Sequence, residues 1–326
     1  MTRRTPRGPV LALSACLAIF ICFISENLGG RAEHHSEVVR NQFAILEGQH
    51  QTFDGVENPL PQFASRVMFP AMLATAAQNP ALNEWQWYVV LRGATAFLAF
   101  LAFFLLCFRQ ERMSLVTATL GAAALAYGLV FTFNHPWEHP TDFIDVIAFS
   151  VFLWLALEKR RVALAIATLV ATFNHETAAF AGVLWWCLWG CGADLRLKWK
   201  ETLFAAALAA ASYALATAIK MLMIPDRSLG YVADGWRTIP QFIDAIKHPL
   251  PFSWPILLMA MMLPPALWLA ANRSLITQEG WRLLWASVAI IVVASPIAFW
   301  SELRSVFLAP SVIIAFVATA TEARKV

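Results

Sequence analysis

Positions 86–108 read QWYVVLRGATAFLAFLAFFLLCF, twenty-three residues with one charge, Arg92. A helix that crosses a bilayer needs roughly 20 mostly apolar residues, and this run meets that length with an arginine about a turn and a half inside it. The rest of the chain is like it. Of 326 residues, 59% are hydrophobic and 14% charged, and the mean hydropathy is +0.60. Soluble domains carry about 25% charge, and a soluble fold of this length cannot hide such an apolar surplus inside. The composition therefore predicts a lipid-facing surface and excludes a secreted globular enzyme, a disordered protein and a nucleic-acid binder.

Working outward from this stretch, ten apolar runs predict spans at about 9–28, 86–108, 113–133, 142–157, 162–174, 178–191, 202–224, 251–271, 283–300 and 305–321. The first follows Arg3, Arg4 and Arg7 as a signal peptide would, but Glu26-Asn27 stands where a small-residue cleavage site belongs, so it reads as a retained span. Spans five and six are short, with one kinked helix as the alternative. With a cytoplasmic N-terminus, the inner loops collect Arg109 and Arg112, Lys159-Arg160-Arg161, Arg196, Lys198 and Lys200, Arg273 and Arg282, and Arg324 and Lys325. The short outer turns between spans hold only Arg304. That asymmetry satisfies the positive-inside rule, with both termini cytoplasmic. The expected fold class is thus all-α: one polytopic membrane-embedded domain over 1–326, with extracytoplasmic loops at 29–84, forming a cap, and at 225–250. All five cysteines fall within spans and read as packing residues. Trp85, Trp87, Trp137, Trp236, Trp254 and Trp300 fit an interfacial aromatic belt, with stacking on a sugar as the alternative for Trp137, the best placed of them.

All seven histidines fall on the outer side of this topology, and four polar clusters accompany them. The first is Glu33-His34-His35-Ser36-Glu37, followed by Asp54. The second runs Asn134-His135-Pro136-Trp137-Glu138-His139-Pro140-Thr141-Asp142, with Asp145 one turn further on. The third is Asn174-His175-Glu176-Thr177, and the fourth Ser301-Glu302-Leu303-Arg304. Polar groups at membrane depth are expensive and face the bundle interior or a wet cavity, so four turns on one side can converge on one site. Arg66 and Arg92 sit near the same boundary, where a guanidinium can hold a phosphate through paired hydrogen bonds; snorkelling of Arg66 and an internal pair of Arg92 with Asp142 or Asp145 are the plainer readings.

Taken in order, these motifs resemble the GT-C class of polytopic membrane glycosyltransferases. Glu33 to Glu37 ahead of Phe43-Ala44-Ile45-Leu46-Glu47-Gly48 resembles its acidic pair and following helix. Arg66-Val67-Met68-Phe69-Pro70 is similar to the R.L.P segment of short bacterial members. Asn174-His175-Glu176-Thr177-Ala178 is similar to their NRETA turn, with His175 in place of the arginine, and Glu302-Leu303-Arg304 before Pro310 to their late E.R turn.

The resemblance implies a multi-pass protein of the bacterial inner membrane that moves a sugar from a polyprenyl-phosphate carrier to an acceptor hydroxyl. It implies Glu37 as the base, with Glu33 and Asp54 as substitutes, and Arg66, Arg92 and Arg304 on the phosphate with His175 assisting. His135, Glu138, His139 and Asp142 would shape the sugar pocket or hold a divalent ion, with Trp137, Asp145, Glu176 and Glu302 also binding substrate. The residues leave other classes open. A metalloenzyme would use His34, His35, His135 and His139 with nearby carboxylates to hold a divalent ion, a transporter would use buried Arg92, Asp145 and Lys220, and a non-catalytic subunit would use the turns as contacts. Membrane lipids and the lipid-linked sugar are the expected partners.

Overall fold

The computed structural model describes residues 7–29, 35–47, 51–53, 56–58, 66–109, 113–132, 140–191, 196–223, 264–294 and 303–324. These form an all-α bundle with one short antiparallel hairpin. Its helices are α1 (Arg7–Gly29), α2 (His35–Leu46), α3 (Met68–Ala77), α4 (Glu84–Arg109), α5 (Leu115–Thr132), α6 (Thr141–Leu157), α7 (Arg161–Thr172), α8 (Phe180–Trp185), α9 (Trp199–Met223), α10 (264–271), α11 (Gln278–Ala294) and α12 (Leu303–Glu322). The hairpin pairs β1 (Gln51–Phe53) with β2 (Val56–Asn58), Thr52 opposite Glu57.

Helices occupy eight of the apolar runs picked out by sequence and the described parts of the other two, 251–271 and 283–300. Runs five and six are separate: a turn at 173–175 and a 3-10 segment at Glu176–Ala179 lie between α7 and α8, and a π-helical turn, Trp186–Gly190, continues α8. Among the described residues, two helices are long and apolar enough to cross a membrane, Glu84–Arg109 and Trp199–Met223. Within 29–84, α2, the hairpin and α3 supply regular structure.

Local chemistry explains several boundaries. Asn83 and Gln86 form a reciprocal capping box at the start of α4: each backbone N–H donates to the other's side-chain oxygen at 2.9 Å. At the opposite end Arg109 donates to Glu158, which also pairs with Arg160 at 2.7 Å. Gly182 of α8 lies where an added Cβ would come within 2.5 Å of the Ala205 carbonyl of α9, so only glycine lets these backbones approach so closely.

α6 is the central helix, packed against α4, α7 and α12. Twelve of its residues are buried, from Thr141 to Ala156, as expected of a helix apolar all round. Outer helices instead expose large apolar side chains, including Phe20 and Phe23 of α1, Val116 of α5, Leu203 of α9 and Trp285 of α11. The two ends of the bundle differ. Arg109, Lys159, Arg160, Arg161 and Arg282 crowd one end, near Glu158, Glu201 and the carbonyl of Leu188. The starts of α3, α4 and α6 and the 173–175 turn gather at the other.

Candidate functional site

Asp142 and Asp145 are one turn apart at the start of α6, hence on one face, and because α6 is central that face meets protein rather than solvent. Both are buried, at 0% and 2% exposure. The 173–175 turn meets them. Asn174 donates through Nδ2 to Asp145 Oδ1 at 2.7 Å and to the Thr141 carbonyl at 2.9 Å, and the Thr177 hydroxyl donates to Asp145 Oδ2 at 3.2 Å. Thus the turn is clamped to α6 through side chains.

His175 opens the 3-10 segment in an extended conformation, and its ring caps it: Nδ1 accepts from the Thr177 backbone N–H at 3.1 Å and lies 2.8 Å from the Thr177 hydroxyl. A ring nitrogen that accepts carries no proton, so the neutral ring bears its proton on Nε2. Burial of the ring, helped by Arg66 and Lys220, pushes the His175 pKa down to about 3. The 3.9 Å approach of Nδ1 to Asp145 Oδ2 is therefore a contact of a neutral ring with a carboxyl group and not an ion pair. Nε2 of His175 and Oδ1 of Asn174 are buried without a hydrogen-bond partner, and orphaned polar atoms at such depth are costly.

Arg66 is brought here by main chain. The Met68 N–H, first of α3, donates to the Phe173 carbonyl at 3.0 Å, where a capping side chain would ordinarily act; Val67 supplies none. Arg66, two residues earlier and 1% exposed, lies within electrostatic reach of Asp145, His175 and Glu176. Glu176 in turn accepts from Lys220 of α9 at 3.2 Å. Burial alone would raise the Glu176 carboxyl, but Lys220 and Arg66 hold it well below the usual carboxylate range.

The structure thus unites Asp142 and Asp145 of the second cluster and His175 and Glu176 of the third with Arg66. Sequence reading assigned no role to Thr177 or Asn174 individually and did not pair Lys220 with Glu176. Their signal was only polarity beside apolar runs. Arg92, 4% exposed, reaches the Cys22 carbonyl of α1 at 3.4 Å.

His35 and Glu37 lie in the first turn of α2, and Arg304 on the first turn of α12; their side chains are not among those described. Val39, half a turn beyond Glu37, packs with Phe69, Leu73, Tyr88 and Ile144, which sets α2 against the same end of α6. Glu33, His34, Asp54, His135, Trp137, Glu138, His139 and Glu302 lie outside the described residues, as does the 225–250 loop. Among the described residues, no group of three or more His, Cys, Asp or Glu side chains is placed to hold a metal ion.

What this arrangement can do is bind an anion beside a buried carboxyl pair, with a guanidinium and an imidazole N–H as donors. No protein-family model, curated protein or solved structure matches the chain.

Proposed function

We propose that the protein is a GT-C-type membrane glycosyltransferase, crossing a bacterial inner membrane about ten times with both termini cytoplasmic, and that it transfers a sugar from a polyprenyl-phosphate carrier to an acceptor hydroxyl of a glycan, lipid or protein. The observation that carries this reading is the burial of Arg66 against the His175 turn and α6, at the end of the bundle away from the basic residues. The apolar side chains exposed around the outer helices suit a lipid surround.

In this reaction the acceptor oxygen forms a bond to the anomeric carbon while the bond from that carbon to the carrier phosphate breaks. The acceptor proton passes to a carboxylate, for which Glu37 is the candidate, and the departing phosphate takes up the negative charge. Arg66 meets that charge, with Arg92 and Arg304 as further cations. The His175 Nε2–H adds a neutral donor that stays in place because the ring does not titrate near neutral pH. Fixed donors aimed at developing charge are worth about 10²–10³ in rate each. Asp145 of α6 holds the turn rather than accepts the proton, since its two oxygens are engaged by Asn174 and Thr177.

The test uses undecaprenyl phosphate, the part shared by donors of any sugar, with binding followed by tryptophan fluorescence of the purified full chain. Wild type should bind, Arg66→Met should lose at least tenfold in affinity, and Glu37→Gln should bind normally yet transfer no sugar in membranes supplied with a panel of polyprenyl-phosphate hexoses and pentoses. Unchanged binding by Arg66→Met overturns the placement of the phosphate.

A further inference from the structure

At the end of the bundle opposite the polar knot lies a cleft of about 490 Å³, lined by Lys159, Arg160, Arg161 and Lys198 with Trp185 and Trp189 as its walls. One carboxylate, Glu201, also lines it, and that group is engaged by Arg161 and by the Trp185 indole N–H at 3.0 Å. Of the four cations, Arg161 pairs with Glu201 and Arg160 with Glu158 at 2.7 Å, and Lys159 and Lys198 add positive charge beside them.

Two helices begin here. α7 starts at Arg161 and α9 at Trp199, they pack side by side, and both run away from the cleft. Each helix N-terminus carries a partial positive charge and backbone N–H groups with no acceptor inside the helix. In α7 no side chain caps those groups and no acidic residue stands in the first turn, and Val162 and Ala163 of that turn line the cleft. A terminus built this way favours an anion from outside.

The backbone is bent to serve the same place. Lys159 adopts φ +57°, a conformation that favours glycine, and its Nζ sits 4.0 Å from the centre of the Trp189 ring. Lys198 is held alongside because its N–H donates to the Gly190 carbonyl at 2.8 Å. Leading away from the cleft, Val162 and Ile166 on α7 and Leu203 on α9 present exposed apolar side chains one turn apart, room for acyl chains beside an anionic head.

We propose that this cleft binds the phosphate of an anionic phospholipid in the leaflet at the basic end of the bundle. The proposal rests on the multi-pass part of the reading above and not on sugar transfer. Basic pockets between helices are suited to such headgroups, and the continuing apolar rows favour a lipid over free phosphate.

The experiment measures lipid retained by the purified full chain in native mass spectrometry, after extraction from nanodiscs containing equal phosphatidylglycerol and phosphatidylcholine. Wild type should retain phosphatidylglycerol at least tenfold over phosphatidylcholine. Arg160→Gln combined with Lys198→Gln should bring that ratio within twofold, while Lys200→Gln, which does not line the cleft, should keep it. Ala163→Trp, which fills the cleft without removing charge, should give the same loss and guards against misfolding of the first variant. Equal retention of the two lipids by wild type, or an unchanged ratio in both cleft variants, overturns the proposal. Displacement of the lipid by 10 mM inorganic phosphate overturns the lipid assignment. Undecaprenyl phosphate binding should be untouched in all of these variants, so failure here and failure of the transfer reading are separate results.

Discussion

Replacing Asp145 with asparagine exchanges a carboxyl group of the buried knot for an amide of nearly the same shape. In the wild type, Oδ1 accepts from Asn174 at 2.7 Å and Oδ2 from Thr177 at 3.2 Å. Hydrogen bonds to an ionised group contribute about 1.5–3 kcal/mol each and neutral ones about 0.5–1.5. If the new amide oxygen takes the place of Oδ1, the Asn174 bond survives in neutral form, and the amide nitrogen faces the Thr177 oxygen, whose hydroxyl must turn away. About 1 kcal/mol is lost at each contact. Arg66 also loses a carboxyl group within its electrostatic reach, which adds up to about 2 kcal/mol.

The expected total is about 2–4 kcal/mol, which at about 2 °C per kcal/mol for a large chain lowers the unfolding midpoint by about 4–8 °C. The assay is thermal unfolding of the purified protein in detergent, followed by circular dichroism. Thr177→Val should cost about 1 kcal/mol alone and less in the Asp145→Asn background, because both changes remove the same bond. A midpoint within 1 °C of wild type for Asp145→Asn, or strict additivity of the two changes, would refute the account of the knot.

Acid should destabilise the protein through His175. Its pKa is about 3 when folded against 6.5 for the free ring, so the unfolded chain binds the proton first. Stability from this residue is full above about pH 6.5 and falls on acidification toward pH 3, by about 2 kcal/mol at pH 5. His175→Gln should flatten the change in unfolding midpoint between pH 7 and 5; Glu176, whose pKa is depressed, contributes its own loss only below about pH 4.5. The double variant Lys220→Met, Glu176→Gln should lose less stability than the sum of the two single losses, with a coupling of at least about 0.5 kcal/mol in a double-mutant cycle. Gly182→Ala should cost about 1–3 kcal/mol by forcing α8 off α9, seen as a lower unfolding midpoint with binding of undecaprenyl phosphate retained in the folded fraction.

Much of the bundle was legible because a run such as 86–108 carries its own signal: length and apolarity alone delimit a helix, and Glu84–Arg109 exceeds the expected limits by only a few residues. Runs five and six were harder. Phe173, Asn174 and His175 interrupt an apolar stretch too briefly for periodicity to decide between a kink and a turn, and the answer depends on Asn174 reaching Thr141 and Asp145, residues some thirty positions away. Polarity within apolar sequence flagged Asp145, His175 and Arg66, since each must find company at depth. It could not say with whom, because pairing depends on the rotation of one helix against another, which a single sequence does not encode in any local pattern. Thr177 shows the limit most plainly. A threonine in a short turn is unremarkable until its N–H and hydroxyl are seen meeting the His175 ring and Asp145.

The single main-chain bond from Met68 to Phe173 has a bearing on how the protein is made. Arg66 leaves the ribosome about a hundred residues before the turn that houses it. At about 5–20 residues per second, the arginine waits roughly 5–20 s without its partners while α4, α5, α6 and α7 are synthesised. Docking of this early segment onto the later turn therefore follows the synthesis of α4 to α7, and a change that slows synthesis between 84 and 172 would lengthen the exposure of an intermediate in which Arg66 has no housing.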